Sequence, residues 1–263
     1  RGRVTYIGTS DTNYDKDAKI ERPITEASDV TYILKAVNYM FPSVNLEPND
    51  VISTWAGLRP LISEPGKSNS ELARKDEIFV SNSGLVTIAG GKLTGFRKMA
   101  ARVVDLILED HSEFSHKTSE TEDFKIHEDS FKDYNDYEKF VSKLPIKYAA
   151  QKLTDYDAWY LSSTFGKSAI GIIQKAMTLD VPFELALIKS EILHAIEHES
   201  ALRPDDYFNR RSGRLYFNIQ SVIDNLDFMV SVFKDYFQWS EEQFKSEMAR
   251  AKVLIADVSK IVD

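Results

Sequence analysis

The stretch LVTIAGGKLTGFR, residues 85–97, combines a strand pattern, a double glycine and the beginning of a helix. Val, Thr and Ile before the glycines favour a strand, and apolar residues at helical spacing after them favour a helix. Just upstream, Ile78 to Val80 and Leu85 to Ala89 flank a Ser-Asn-Ser-Gly turn, which predicts a β-hairpin. The sequence therefore predicts a strand that leads through Gly90 and Gly91 directly to a helix N-terminus.

Such a turn suits a ligand that carries negative charge. Glycine lets a ligand approach the backbone closely, and a helix N-terminus offers unpaired N–H groups and the positive end of the helix dipole. Lys92 adds a full positive charge and Thr94 adds a hydroxyl. A plain glycine-rich turn with a solvated Lys92 explains the local pattern equally well. The chain contains neither a Walker A loop nor a GxGxxG turn, so the usual phosphate and dinucleotide motifs are absent from it.

Upstream of the hairpin, the sequence predicts two strands, Gly2–Gly8 and Val51–Trp55, on either side of a helix. Thr25 or Ser28 is the expected N-cap of that helix, and Pro42 ends it. Arg59 follows in AGLRPL, between a Gly and a Pro that restrict the backbone. An arginine held in this way suits bidentate contact with a phosphate or carboxylate, although pairing with an acidic side chain is the more common role.

Downstream, strand patterns give way to helical ones. Residues 109–138 are mostly polar and acidic, which predicts a linker or a surface insertion. One helix is predicted over 216–239, and Ser240 with Gln243 predicts a capping box for the last one. We therefore expect three regions: an α+β region over 1–110, an acidic linker or insertion over 111–130, and an all-α C-terminal helical domain over 131–263.

Composition and single residues exclude several classes of function. The 263 residues carry a net charge of −8, which argues against nucleic acid as a main partner, and no cysteine is present. No apolar run approaches the roughly 18 residues of a membrane span. His194 and His198 with Glu191 have no third metal ligand nearby, so no metal site is predicted. For Arg210, Arg211 and Arg214, salt bridges to Asp205, Asp206 and Glu199 are favoured over an anion site.

Taken in order along the chain, the motifs resemble one known family. They are IGTSDTNY (7–14), NYMFP (38–42), DVISTWAGLRPLI (50–62), GLVTIAGGKLTGFRKMA (84–100) and HESALRPDDYFNRRSG (198–213). Together they resemble the flavin-dependent glycerol-3-phosphate dehydrogenases and oxidases. The fold class implied is the end of an FAD and substrate domain of the amino-acid-oxidase type, followed by the helical domain.

The resemblance also implies an activity. Family members oxidise sn-glycerol 3-phosphate to dihydroxyacetone phosphate by hydride transfer to FAD, and the electrons pass to quinone in the dehydrogenases or to oxygen in the oxidases. Gly90, Gly91, Lys92, Leu93 and Thr94 match the loop that faces the flavin ring. Arg59 and Lys92 match substrate contacts, and Thr94 adds a hydrogen bond. Gly95 departs from the pattern, because many relatives carry Thr there.

The resemblance further implies that most of the FAD pocket, and the catalytic base, lie upstream of Arg1. We expect the chain alone to be inactive, with the upstream FAD-binding portion as its partner. The location expected is cytoplasmic, with peripheral membrane association and homo-oligomerisation left open. The alternative is that the helical region is an interaction or docking module with no catalysis of its own.

Overall fold

The computed structural model describes residues 2–12, 21–59, 62, 76–110, 118–125 and 129–259. The chain forms two compact units. The first contains residues 1–11, 21–56 and 129–263, and the second contains residues 12–20 and 57–128. The predicted boundaries at 110 and 131 stay predictions, and residues 111–117 and 126–128 of the predicted linker lie outside the described residues.

The second unit contains a β-hairpin and a helix. Strand β1 (Asp76–Val80) pairs antiparallel with β2 (Val86–Gly90), in a register that places Ile78 opposite Ile88. The predicted turn lies between them, and Gly84 has a φ of 83°, which glycine adopts without strain. Helix α2 (Phe96–Asp110) follows, so the predicted hairpin and helix are confirmed. A short 3-10 helix, Leu93–Gly95, separates the glycines from α2, and this turn was not predicted.

The first unit is helical. Helix α1 (Ala27–Met40) buries Val30 and Leu34, as its periodicity predicts. The remaining helices are α3 (Tyr134–Lys147), α4 (Asp155–Phe165), α5 (Ala169–Ala176), α6 (Phe183–Glu199), a π-helix (Asp206–Arg211), α7 (Arg214–Phe217), α8 (Ile219–Phe237) and α9 (Glu241–Ser259).

Two buried clusters stabilise the helical unit. One is formed by α3, α4, α5 and the first turns of α6, and the other by the rest of α6 with α7, α8 and α9. Helix α6 contributes to both, with Ala186 and Leu187 in the first and Ile188 and Ile192 in the second. Fully buried Phe233 lies in the second cluster. Because α6 is shared, the two clusters are parts of one helical body.

Four local predictions are wrong. Residues 2–8 and 51–55 form no strand, because a strand needs a partner and the hairpin is the one sheet within the described residues. The N-cap of α1 is Glu26, which forms a reciprocal capping box with Asp29. The helix predicted over 216–239 is divided at Asn218 into α7 and α8. In contrast, Ser240 accepts a hydrogen bond from the backbone of Gln243 at 3.1 Å, so the Ser240 half of the predicted capping box is confirmed.

Candidate functional site

The loop from Gly90 to Thr94 joins the end of β2 to the helical turn before α2. Gly90 and Gly91 have φ values of 77° and 76°, in the left-handed region that favours glycine. A Cβ at Gly91 would lie 2.9 Å from Met99 Sδ and 3.1 Å from Asp76 Cβ. Both glycines are therefore required by the backbone conformation, and Gly91 is also required by the close approach of β1 and α2.

The side chains of this loop face solvent in the second unit. Lys92 and Thr94 are exposed, and Leu93 is 90% exposed. The carbonyl of Lys92 accepts from Gly95 N at 2.8 Å, which closes the 3-10 turn. A single exposed apolar side chain is common on protein surfaces, so Leu93 alone does not indicate a contact surface. The loop exposes a cation, a hydroxyl and an apolar side chain.

The base of the loop is held by charged side chains. Arg102 of α2 forms an ion pair with Asp76 at the beginning of β1. Asp76 is also the residue that pairs with Gly90 across the hairpin. Arg97, in the first turn of α2, lies 3.3 Å from Glu122. These pairs link the hairpin, α2 and residues 118–125, so the loop is supported on both sides.

The other predicted site residue, Arg59, lies in the same compact unit and is exposed. It follows Trp55, Ala56 and Gly57 along the chain, and its next neighbours, Pro60 and Leu61, lie outside the described residues. The convergence of Arg59 and Lys92 on one ligand stays a prediction. The predicted feature IGTSDT lies within described residues and forms no regular element.

The helical unit contains a buried polar network that sequence reasoning missed. Glu191 of α6 is 1% exposed, and its carboxylate lies 2.8 Å from Arg214 Nη2. The hydroxyls of Tyr160 and Tyr207 donate to the other carboxylate oxygen at 2.9 and 2.8 Å. Arg214 Nη1 also donates to Ser221 Oγ at 2.9 Å. The network joins α4, α6, the π-helix, α7 and α8 through a single carboxylate.

The electrostatics of this network point to a structural role. Burial raises the pKa of Tyr160 and Tyr207 well above the ordinary value for tyrosine, so both hydroxyls stay protonated and donate. Burial disfavours the charge of Arg214, but the adjacent Glu191 carboxylate outweighs it and keeps the pKa of Arg214 raised. The charge of Arg214 is thus neutralised inside the protein. One signal was available in the sequence, since Glu191 lies on the apolar face of α6 between Ile188 and Ile192.

The predicted basic cluster is also occupied by protein partners. Arg210 lies 2.9 Å from Asp205 and 3.0 Å from Asp206, as expected. Arg211 donates instead to the backbone carbonyl of Glu199, at 2.9 and 2.7 Å. The predicted pairing of Arg214 with this acidic group is wrong, because Arg214 pairs with Glu191. No anion site is therefore assigned to these arginines.

Asp205 and the histidine pair are further titratable groups of the helical unit. Burial opposes the charge of Asp205, but hydrogen bonds from Arg250 and Arg210 lower its pKa overall. The rings of His194 and His198 lie 4.8 Å apart, and burial lowers the pKa of His194. Across the described ranges, no group of three or more metal-ligating side chains occurs. In the same ranges, no helix has the length and hydropathy needed to cross a membrane.

Comparisons with known proteins were made for sequence and structure. A family model described as the C-terminal domain of alpha-glycerophosphate oxidase matches residues 97–244. Aerobic glycerol-3-phosphate dehydrogenase from Staphylococcus epidermidis is 37% identical over 258 residues, which is 95% of this chain and 45% of the relative. The protein of the same name from Bacillus subtilis is 37% identical over 263 residues, 96% of this chain and 46% of the relative.

The comparison with solved structures also finds a glycerol-3-phosphate dehydrogenase. The glycerol-3-phosphate dehydrogenase from Bacillus halodurans, solved in complex with FAD, superposes with a TM-score of 0.79 at 32% identity. The match covers 96% of this chain and 49% of that one. The chain therefore spans about half the length of the relatives that it matches.

Proposed function

Because the chain belongs to the family of the C-terminal domain of alpha-glycerophosphate oxidase, we propose that it is the C-terminal part of a flavoenzyme that oxidises sn-glycerol 3-phosphate to dihydroxyacetone phosphate. The observation that carries the proposal is the loop from Gly90 to Thr94. Its two glycines are held at positive φ, and it exposes Lys92 directly before the 3-10 turn that leads into α2. The names of the relatives and the FAD in the matched structure support the same activity.

The loop fits a flavin ring on physical grounds. With no Cβ at Gly90, a flat ligand can approach the backbone there, whereas the side of Gly91 that a Cβ would occupy faces Met99 and Asp76. The first N–H groups of the 3-10 turn Leu93–Gly95, which continues into α2, favour a negative charge placed next to them. FAD, when bound, supplies the acceptor for the hydride from C2 of the substrate. The role of this chain is then to contact the ring and to stabilise the negative charge that develops at its edge.

Two cations are proposed to bind the substrate. Arg59 has the planar fork that suits a phosphate, and Lys92 is a point charge that suits a phosphate or a hydroxyl oxygen. Thr94 adds a hydroxyl close to the glycines. The general base is not assigned to any residue of this chain. The electron acceptor, oxygen or quinone, the cytoplasmic location and homo-oligomerisation stay predictions.

The test compares the chain alone with the chain joined to the upstream half of its parent protein. Both are purified, and their visible flavin absorbance is recorded without oxygen before and after addition of glycerol 3-phosphate. We expect the joined protein to carry flavin that bleaches and the lone chain to carry little flavin. A joined protein whose flavin ignores glycerol 3-phosphate would remove the substrate assignment. A lone chain that binds and bleaches flavin would contradict the view that the chain is incomplete.

Substitution then tests the two substrate contacts in the joined protein. Arg59→Ala and Lys92→Ala should each raise the KM for glycerol 3-phosphate by roughly 10- to 100-fold, because a hydrogen bond to a charged group contributes about 1.5–3 kcal/mol. Lys98→Ala is the matched control, since Lys98 is an exposed lysine on α2. A KM that changes equally in Lys98→Ala and Lys92→Ala would refute the specific role of Lys92.

The alternative is that the helical unit is a docking module. An unchanged KM in both Arg59→Ala and Lys92→Ala would mean that the chain makes no substrate contact through the predicted residues, and docking would then be the function left to test.

A further inference from the structure

We propose that Met99 is a positioning residue that holds both ends of the loop segment Lys92–Thr94, so that this segment meets the flavin and the substrate in one conformation. The proposal rests on the proposed function, since it takes the loop from Gly90 to Thr94 to face the flavin ring. It assigns Met99 a role that is exerted through the loop and not through contact with either ligand. All of these residues belong to the second compact unit.

The sulfur of Met99 lies next to both ends of the segment. A Cβ on Gly91, which precedes the segment, would lie 2.9 Å from Met99 Sδ. A Cβ on Gly95, which follows the segment, would lie 4.0 Å from the same sulfur, an ordinary van der Waals distance. The three residues between the two glycines are exposed. One side chain of α2 therefore packs against both ends of the exposed part of the loop.

The loop needs such a contact because its two ends are glycines. Glycine loses more conformational freedom on folding than any other residue, so an end formed by glycine is not rigid by itself. Inside the segment, the N–H of Gly95 donates to the carbonyl of Lys92 at 2.8 Å and closes the 3-10 turn. This bond holds the turn together, but a turn between two glycines can still pivot as a body. A side chain packed against both glycines removes that freedom.

A second link between α2 and the loop is weaker. Arg102, one turn after Met99 on α2, forms an ion pair with Asp76, which lies opposite Gly90 in the hairpin. The side chain of Arg102 is 54% exposed, and exposed ion pairs contribute little to stability. Met99 is half-buried, and the flexible thioether side chain of methionine fills irregular gaps such as the space beside a glycine. The main support of the loop is therefore Met99.

A fixed loop matters for the proposed chemistry. Backbone N–H groups stabilise a developing negative charge best when they are already oriented before the charge appears. A loop that samples several conformations must be reordered each time, and part of the stabilisation is lost. Loosening the loop should therefore change the reduction potential of the flavin, which a substitution that only lowers overall stability would leave unchanged.

The first test uses the chain alone and needs no cofactor. Trypsin cleaves after Lys92 in the loop and after Arg102 within α2, and cleavage requires local opening of the backbone. In Met99→Ala, cleavage after Lys92 should be about tenfold faster, while cleavage after Arg102 changes much less. Met99→Leu has a similar side-chain volume and should behave like the unsubstituted chain. Unchanged cleavage after Lys92, or equal acceleration at both positions, would overturn the proposal.

The second test measures the two-electron potential of the flavin in the chain joined to the upstream half of its parent protein. A tenfold weaker stabilisation of the reduced form lowers this potential by about 30 mV, and we expect a shift of that size in Met99→Ala. Met99→Leu should recover most of it. Leu106→Ala is the matched control, since Leu106 is half-buried and lies two turns further along the same face of α2. Its potential should equal that of the unsubstituted protein.

The outcomes separate this proposal from the proposed function. An unchanged potential in Met99→Ala, or an equal shift in Leu106→Ala, would refute the positioning role. If Met99→Ala does not fold, Met99→Val replaces it in both tests, because valine is too short to reach both glycines; cleavage and potential that stay unchanged would then refute the role. If glycerol 3-phosphate does not bleach the flavin of the unsubstituted joined protein, the proposed function fails, whereas cleavage of the lone chain still tests whether Met99 holds the loop.

Discussion

Replacing Glu191 with Ala should destabilise the helical unit more than any exposed substitution. The change removes the acceptor for both Tyr160 and Tyr207 and leaves the Arg214 charge, with a side chain only 10% exposed, without its carboxylate. Removing one partner of a buried ion pair costs about 3–5 kcal/mol, since the other charge stays buried. With a urea m-value of about 2 kcal/mol/M, the denaturation midpoint should fall by roughly 2 M.

The chain offers a convenient probe for this measurement. All three of its tryptophans, Trp55, Trp159 and Trp239, belong to the first compact unit. Tryptophan fluorescence during urea denaturation therefore reports the unfolding of the unit that contains the network. Glu241→Ala is the matched control, because Glu241 forms an exposed ion pair with Lys234 and should shift the midpoint much less.

Two outcomes would refute the reasoning. A loss below about 1 kcal/mol in Glu191→Ala would mean that water or a rearranged side chain solvates Arg214, since a buried unpaired charge costs more than that. A second check replaces the pair by apolar residues, Glu191→Met with Arg214→Leu. This double variant should recover the part of the loss that is due to the buried charge of Arg214, while the hydroxyls of Tyr160 and Tyr207 still lack their acceptor. A double variant less stable than Glu191→Ala would contradict that explanation.

Three further predictions concern other parts of the chain. Asp205→Asn should lower the free energy of unfolding at neutral pH by about 1–3 kcal/mol, through the loss of charged hydrogen bonds. Because folding lowers the pKa of Asp205, the difference from the unsubstituted chain should shrink as the pH falls below about 4 and disappear below the folded-state pKa, in urea titrations at several pH values. Gly91→Ala should lower the free energy of unfolding more than Gly84→Ala does, since both glycines have positive φ but only Gly91 is crowded, by Met99 and Asp76. Amide exchange in β1 and β2 measures this difference, and equal exchange rates would count against it. Ser240→Ala should lower the free energy of unfolding by about 1 kcal/mol through loss of the α9 cap, as measured by tryptophan fluorescence during urea denaturation.

Local patterns allowed part of the fold to be predicted. The hairpin was correct because its apolar alternation and its turn ending in Gly84 lie within fifteen residues, from Asp76 to Gly90. The glycine loop was located for the same reason. The strand predicted at Val51–Trp55 was wrong because its β-formers are held by distant partners instead of a neighbouring strand. The backbone N–H of Thr54 bonds to Val258, and no local pattern indicates such a pair.

The candidate site shows the same difference between local patterns and contacts between distant residues. Gly90 and Gly91 could be predicted from the sequence, because the local backbone conformation requires them. Arg214 was noticed as part of a basic cluster, but its partner Glu191 is 23 residues away on another helix. Pairing of that kind depends on how α6 and α7 pack. The unusual position of a glutamate on an apolar helix face was the one available indication.

The bond between Thr54 and Val258 also has a consequence for synthesis on the ribosome. Its two ends are separated by 204 residues, and translation proceeds at about 5–20 residues per second. Thr54 therefore leaves the ribosome about 10–40 seconds before its acceptor has been made. During that interval Ser53, Thr54 and Trp55 are available to chaperones, proteases and other chains. The contact that holds this segment closes only after the last helix has emerged, so completion of α9 sets the earliest time at which the segment is protected.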